Sequence, residues 1–446
     1  MPSEAGYPAT TIAAVSTPVG RGGIGIIRIS GPGSLEFSLR LSRRVQPWQP
    51  RHASFSSWYD PDGRLLDSGL VLFFPAPDSY TGEDVVELHG HANPVLMQAM
   101  LNLLFDLGAR PAEPGEFTRR AVENNKMDLS QAEAVIASID AATLRAAHQA
   151  QRHLCGEFGH LIERLMSCLT GILAHIEACL DFPEEEVPPA LFDELELQLR
   201  RDLLQPIESL LDSAGFGERL LHGATVAITG APNAGKSSLL NRLAAHDRAI
   251  VSDMPGTTRD TLEVALEVKG IPLRLIDTAG IRDGGGDCIE MEGVERARRA
   301  AAAADLVMFV ADFSRPETWE MPMPAGLKVM NKLDLCPDRE IPAGFLPVSA
   351  LTGEGIGTIK QEIALSLELM PAAEEGLLVT CERHRQALKQ ARGLLVDSLA
   401  LLGREDYLEL IAQDWRQAHA ALGSILGYGD IEDILDRIFS EFCIGK

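Results

Sequence analysis

The sequence predicts a multidomain chain. It comprises an α/β N-terminal domain, an all-α central domain and a second α/β domain inserted into the helical one. Three observations predict this. First, 446 residues are too many for one ordinary domain, and length alone points to about three. Second, Gly230-Ala231-Pro232-Asn233-Ala234-Gly235-Lys236-Ser237 fits G-x-x-x-x-G-K-[ST], the P-loop pattern, between a β-branched run and an apolar helical run. Third, helical periodicity lies on both sides of a strand–helix alternation centred on that loop.

Composition bounds the function. Hydrophobic content of 46% with 23% charged residues suits large packed cores. No apolar run reaches the length of a membrane span, and the N-terminus lacks the basic-then-apolar layout of a signal peptide. The seven cysteines form no C-x-x-C pair, so a reducing, cytoplasmic setting without membrane partners is expected. Net charge is −24, of which residues 1–120, with 10 basic and 12 acidic side chains, carry only −2. Such a surface repels phosphate backbones and argues against tight nonspecific nucleic-acid binding. A local basic patch or a partner protein is the route left for RNA.

Residues 1–120 form the expected α/β domain. Strands are expected at 24–29, 70–74 and 84–89, and an amphipathic helix from Pro94 to Leu107 with Gly108 past its end. Arg28 and Glu87 are charges inside apolar strands, which either face solvent or line a small-molecule pocket. His89 and His91 share a strand face, a geometry that suits packing or a metal. From 121 to 220 the pattern is helical. Ser130 to Glu133 resembles a capping box, and Leu161, Leu165, Leu169, Ile172, Ile176 and Leu180 make one helix face. Residues 221–372 alternate strands (224–229, 261–268, 271–277, 305–312, 326–331, 345–349) with helices, as a parallel sheet covered on both faces requires. Residues 373–446 return to helix and complete the helical domain.

In the P-loop, backbone N–H groups and the helix N-terminus face a β-phosphate. Lys236 adds a point charge, and the Ser237 hydroxyl is expected to ligate Mg²⁺. Four elements follow in order. Gly256-Thr257-Thr258 offers Thr258 to Mg²⁺ and the γ-phosphate. Asp277-Thr278-Ala279-Gly280 offers a carboxylate for the Mg²⁺ shell and an N–H for the γ-phosphate. Asn331-Lys332-Leu333-Asp334 places a carboxylate that pairs with guanine N1 and N2, a pair adenine lacks. Ser349-Ala350-Leu351 is expected to bring a backbone N–H to guanine O6. Together these resemble the GTPase superfamily, so GTP is the expected substrate. Ile281 stands where many regulatory GTPases have a water-orienting Gln, so catalysis must come from another group. The following loop offers Arg282, Asp283, Asp287, Glu290 and Glu292.

Five further motifs carry a closer resemblance. They are Thr10-Thr11-Ile12-Ala13-Ala14, Gly22 to Gly31, Ser79-Tyr80-Thr81-Gly82-Glu83-Asp84, Pro114-Gly115-Glu116-Phe117-Thr118 and the terminal Phe442-Cys443-Ile444-Gly445-Lys446. Across nearly the whole chain the sequence resembles the MnmE (TrmE) family. The resemblance implies a cytoplasmic homodimer joined through folate-binding-like N-terminal domains that hold 5-formyl-tetrahydrofolate or a related folate. It implies an FAD-containing MnmG-type flavoprotein partner, tRNA as substrate, and a carboxymethylaminomethyl group installed at carbon 5 of the wobble uridine. It also implies K⁺-stimulated GTP hydrolysis. Asn233 with Ser252, Met254 and Thr257 matches the potassium ligands, and Ser237 with Thr258 the magnesium ligands.

Asn233, Arg282 and Glu290 are then the catalytic candidates, with Glu292 a rival to Glu290. The GTP-contacting set runs Asn233, Ala234, Gly235, Lys236, Ser237, Ser238; Ser252, Asp253, Met254, Pro255, Gly256, Thr257, Thr258; Asp277, Thr278, Ala279, Gly280; Asn331, Lys332, Leu333, Asp334; Ser349, Ala350, Leu351. Arg28, Glu87, Lys126 and Lys446 match folate contacts. Ala92-Asn93 and Met254-Pro255 depart from the usual family residues. Two other readings stand beside this one: an Era-like ribosome-assembly switch, disfavoured by the acidic surface, and a GTP-regulated folate-dependent transferase, disfavoured by the lack of a complete one-carbon site.

Overall fold

The computed structural model describes residues 10–182, 189–246, 263–277, 301–319, 326–336, 340–367, 376–429, 432–440 and 442–445. Packing divides the chain into two compact units, Met1–Ile136 with Gly423–Lys446, and Ala137–Leu422.

The first unit is built on a six-stranded sheet: β1 (Ile12–Val15), β2 (Gly22–Ser30), β3 (Ser54–Tyr59), β4 (Leu65–Phe74), β5 (Val85–Ala92) and β6 (Arg110–Pro111). Their order is β3-β4-β5-β2-β1-β6, antiparallel except for the β1–β6 pair. Alternation along β2 and β5 sends Ile27, Ile29, Val86 and Leu88 to one face. There α1 (Ser34–Leu41) and α2 (Pro94–Asp106) close a core with Trp48, Trp58, Met100 and Leu104. On the other face, Phe117 of α3 (Glu116–Glu123) covers Ile12 and Ala14.

The helix α4 (Leu129–Asp140) starts earlier than its expected cap. Asp128 accepts from the Gln131 N–H at 2.9 Å, and the Gln131 side chain accepts from the Asp128 N–H at 2.9 Å. The capping box is therefore Asp128 to Gln131, not Ser130 to Glu133, because the Ser130 hydroxyl donates to the Asp128 carboxylate instead.

In the second unit, α5 (Leu144–Leu154), α6 (Glu157–Asp181), α7 (Pro189–Gln198) and α8 (Gln205–His222) precede the sheet. A π-helical turn, Leu199–Leu204, joins α7 to α8 beside Pro206, which has no N–H to give. On α6 the buried stripe is Ile162, Leu165, Leu169, Ile172 and Ile176.

The second sheet has β7 (Ala224–Thr229), β8 (Glu263–Val268), β9 (Ile271–Asp277), β10 (Leu306–Asp312), β11 (Leu327–Asn331) and β12 (Leu346–Pro347), in the order β12-β11-β10-β7-β9-β8. It is mixed rather than wholly parallel. Lys269 and Gly270 both adopt positive φ, +54° and +82°, and this two-residue turn sets edge strand β8 antiparallel to β9. Helices α9 (Lys236–His246) and α10 (Ile356–Ser366) follow strands β7 and β12. After the sheet come α11 (Glu382–Leu399), α12 (Leu408–Leu426) and α13 (Glu432–Ser440).

Sheet and helices share one core in this unit, where Ala146, Phe216, Leu220 and Leu378 pack with Leu266, Val268 and Ile271. Thr143 donates to the Gly270 carbonyl at 2.7 Å, and Arg145 donates to the Lys269 carbonyl at 3.0 Å while lying over the Phe216 ring.

Residues 423–445, by contrast, pack in the first unit. Leu435, Phe439 and Phe442 cover Leu129 and Ala132, and Ile444 bridges Pro114. A Cβ on Gly445 (φ +96°) would stand 2.1 Å from the Val15 carbonyl oxygen, so only glycine passes β1 there. Packing draws its two-unit boundaries at 136 and 422; sequence patterning places domain changes at 120, 220 and 372.

Candidate functional site

The site lies at the C-terminal ends of β7, β9, β11 and β12. Gly230 (φ +142°) lets the chain leave β7 against β10, since a Cβ there would stand 2.1 Å from the Val310 oxygen. Asn233 turns the loop tip with φ +62°, a left-handed conformation that Asn tolerates better than most residues. Gly235 (φ +89°) permits close approach of Asn331, whose amide nitrogen would be 2.2 Å from an added Cβ. Ala234 is fully buried beneath the loop. The Lys236 ammonium, on a residue only 5% exposed, donates to the Gly230 and Ala231 carbonyls at 2.9 and 2.8 Å. A cation is thus preset at the loop mouth. Ser237 donates its hydroxyl to Asp277 at 2.8 Å, and Asp277 is fully buried at the end of β9. That bond turns the hydroxyl lone pairs outward, the donor set that an Mg²⁺ with its oxygen ligands requires. Ser238 follows in the first turn of α9, exposed.

The other end of the site is held by side chains that grip backbone. The Asn331 amide donates to the Ala234 carbonyl at 2.9 Å and accepts from the Ala350 N–H at 3.1 Å, so one side chain ties phosphate loop to base loop. Lys332 sits at φ +68° and pairs with Asp312 at 2.7 Å. Burial alone would raise the Asp312 carboxyl; Lys332 and the Ser314 hydroxyl and N–H outweigh it and hold the group below the usual carboxylate range. Asp334 lies in the short turn Leu333–Leu335 and accepts from the Ser349 hydroxyl, which fixes the carboxylate.

These described candidates come together. Ser252, Asp253, Met254, Pro255, Gly256, Thr257, Thr258, Thr278, Ala279, Gly280, Arg282, Glu290 and Lys446 lie outside the described residues.

A family model described as the MnmE helical domain matches residues 129–443, and one described as the GTP-binding protein TrmE N-terminus matches residues 11–126. The chain belongs to the MnmE family. Relatives named tRNA modification GTPase MnmE include one from Parvibaculum lavamentivorans, 46% identical over 98% of this chain and 100% of its own length. Another, from Thermus thermophilus, is 45% identical, and one from Methylococcus capsulatus is 42% identical, each over 98% of both chains. Among solved structures, the cytosolic domain of the T. maritima FeoB iron transporter in a GDP form is 20% identical over 46% of this chain and 97% of that one, with a TM-score of 0.25.

The MnmE-type N-terminal unit holds a second polar constellation. Arg28 donates to Glu87 from Nε at 3.1 Å and Nη2 at 2.9 Å. Its guanidinium lies over the Tyr80 and Phe117 rings, 5.1 and 5.6 Å from their centroids. His89 meets the other Glu87 oxygen at 3.0 Å. Burial raises the Glu87 carboxyl, but the His89 and Arg28 contacts outweigh it, so Glu87 stays below its ordinary range. Arg28 and Glu87 thus form a half-buried pair rather than two solvated charges. The pair, beside the half-buried Tyr80 ring, offers donors and acceptors of the kind a heteroaromatic acid such as folate needs, while Phe117 is fully buried behind it. Lys126 packs beside Gly82, two residues past Tyr80, where an added Cβ would meet its stem at 3.3 Å. His89 and His91 do not share a ligand, because His91 takes its own carboxylate, Asp67, at 2.7 Å.

Sequence reasoning missed two sets of residues. Arg242, on α9, donates to the Ala350 carbonyl at 3.0 Å and to the Leu351 carbonyl. In the N-terminal unit, Arg120 bridges Glu83 and Glu116, each at 2.9 Å, and Arg110 meets Glu116 at 2.8 Å. The Glu116–Arg120 spacing of four on a helix was the available signal.

Proposed function

We propose that this chain is a potassium-stimulated GTPase that, with an FAD-containing MnmG-type flavoprotein, adds a carboxymethylaminomethyl group at carbon 5 of the wobble uridine of certain tRNAs. It works in this reading as a cytoplasmic homodimer. The observation that carries the catalytic half is the convergence of Lys236, the Ser237–Asp277 pair and the Asn331–Asp334 turn on adjacent strand ends. Family membership over 98% of the chain supports the tRNA half.

In this reading Lys236 exchanges its loop carbonyls for β- and γ-phosphate oxygens, a swap of like acceptors at a preset position. Ser237 and Thr258 would hold Mg²⁺, which supplies charge neutralisation when bound. Asp277 keeps the Ser237 lone pairs facing that ion. Asp334 reads guanine N1 and N2 with the carboxylate that Ser349 steadies. Asn233, exposed at the left-handed tip of the loop, offers its amide oxygen to K⁺ together with Ser252, Met254 and Thr257. Arg282 and Glu290 supply the groups that act near the hydrolytic water. Arg28 and Glu87, with Lys126 and Lys446, would hold 5-formyl-tetrahydrofolate or a related folate.

Two measurements test this. Mass analysis of tRNA nucleosides from a strain lacking the gene is expected to show wobble uridines without the carboxymethylaminomethyl group; normal nucleosides overturn the tRNA reading. GTP turnover in potassium is expected to exceed turnover in sodium by about tenfold or more, because the smaller sodium ion does not match oxygen ligands spaced for potassium. Equal rates remove the role given to Asn233.

A further inference from the structure

We infer that Arg242 is a positioning residue for base selection: it fixes the peptide planes from which the base-reading loop presents its N–H donors. This rests on the reading of Ser349-Ala350-Leu351 as the loop that meets guanine O6.

Each peptide of that loop has an assignable partner. The 349–350 peptide gives its carbonyl to the Gly353 N–H at 2.8 Å and its N–H to Asn331 at 3.1 Å. The 351–352 peptide gives its carbonyl to Arg242 and its N–H to the Ser349 hydroxyl at 3.1 Å. Between them, the 350–351 peptide gives its carbonyl to Arg242 Nε at 3.0 Å. Its N–H, that of Leu351, has no partner among the described residues, and Leu351 is 75% exposed.

A trans peptide is planar, with C=O and N–H pointing opposite ways. Holding the Ala350 carbonyl toward α9 therefore aims the Leu351 N–H away from α9. The bond to a guanidinium also polarises that peptide and strengthens its free donor. A guanine carbonyl takes the Leu351 N–H directly or displaces Asn331 from the Ala350 N–H. Arg242 holds the plane that carries the Leu351 N–H directly and acts on the Ala350 N–H only through the adjoining peptide, whose own plane Gly353 and Asn331 hold. Arg242 is itself rooted in the helix that opens with Lys236 and Ser237, so the distance from phosphate end to base end is set through one rigid element. The planar fork of arginine reaches two carbonyls together, which a lysine ammonium cannot match in geometry.

The test compares Arg242→Ala, Arg242→Lys and Asp334→Asn with the parent chain by titration calorimetry with GTP, ATP and inorganic tripolyphosphate. Arg242→Ala is expected to weaken GTP about tenfold, narrow the GTP-over-ATP preference by about the same factor, and leave tripolyphosphate unchanged. Its kcat at saturating GTP is expected to stay at the parent value, and Arg242→Lys to recover part of the affinity. GTP affinity equal to the parent overturns the inference. So does an equal loss for tripolyphosphate, which would place the effect on α9 and the phosphates. Asp334→Asn separates the two layers. If it keeps the parent's base preference, the reading of this end of the site as a guanine site fails; if it loses that preference and Arg242→Ala does not, only the Arg242 role fails. Should Arg242→Ala melt early, Arg242→Gln carries the same measurement.

Discussion

The buried charges of the N-terminal unit and those of the phosphate loop are held by different partners. Around Arg120 the partners are opposite charges: Glu83 and Glu116 flank it, and Arg110 closes on Glu116 from the far side. Around the phosphate loop, neutral groups among the described residues contact the side chains that face the ligand, while the Lys332–Asp312 ion pair stands behind them. Carbonyls hold Lys236, and the Ser237 and Ser349 hydroxyls meet Asp277 and Asp334. Replacing a carbonyl or hydroxyl by a ligand oxygen is a nearly even exchange, whereas separating buried opposite charges is not. The first arrangement is a closed piece of structure; the second can trade partners with a substrate. One lysine and one arginine, both nearly buried, therefore have opposite jobs.

Substitutions in the two regions sharpen this contrast. Glu116→Gln leaves Arg110 and Arg120 short of a buried counter-charge, and is expected to destabilise the N-terminal unit by about 3–5 kcal/mol. Chemical denaturation should show that loss while GTP turnover at low temperature stays at the parent value; lost turnover in the folded protein would break the contrast. Lys236→Ala is expected to do the reverse. Its GTP hydrolysis should fall about 10²–10³-fold with an unchanged unfolding midpoint in the absence of nucleotide.

The smallest effect is on pH. Glu116, Glu87 and Asp67 are each raised by burial and then brought below the ordinary range by stronger opposing contacts: Arg110, the Glu113 N–H and Arg120 for Glu116, His89 and Arg28 for Glu87, and His91 and Ser68 for Asp67. A depressed carboxylate contributes stability above its unfolded pKa of about 4, and that contribution is lost as pH falls through the lower folded value. The urea midpoint of the N-terminal unit is expected to drop between about pH 5 and pH 3. Trp48 and Trp58, both buried in that unit, report it in a Trp319→Phe, Trp415→Phe background. A flat midpoint would show that the network is not built on charge.

What could be read in the sequence was what is local. The phosphate loop packs its chemistry into eight consecutive residues between a strand and a helix, and Asn331 to Asp334 does so in four. The strands around them fall at β7, β9, β10 and β11 within a residue of expectation because burial on both faces leaves long apolar runs. Contacts across long separations could not be read. Arg242 meets carbonyls 108 and 109 residues away and belongs to no motif. Glu83 and Glu116, which Arg120 joins, sit in motifs that looked like separate signatures rather than two halves of one network. The antiparallel edge had a local signal in Lys269-Gly270, which the surrounding strand–helix alternation outweighed. Residues 432–445 read as more of the helical domain, and Leu435, Phe439 and Phe442 do pack on Leu129 and Ala132 of its first helix, though helical periodicity alone does not say which core a helix joins.

The docked turn of the β8–β9 hairpin has a mechanical consequence. Strand β9 begins one residue after Gly270, whose carbonyl Thr143 holds, and ends at Asp277 beside Ser237. Its six steps span about 20 Å. Flanked by β7 and β8, it is too stiff to buckle over that length. It is a strut pinned at both ends. An ångström of axial travel at Asp277 must either strain the Thr143 and Arg145 hydrogen bonds or shift the start of α5 by as much.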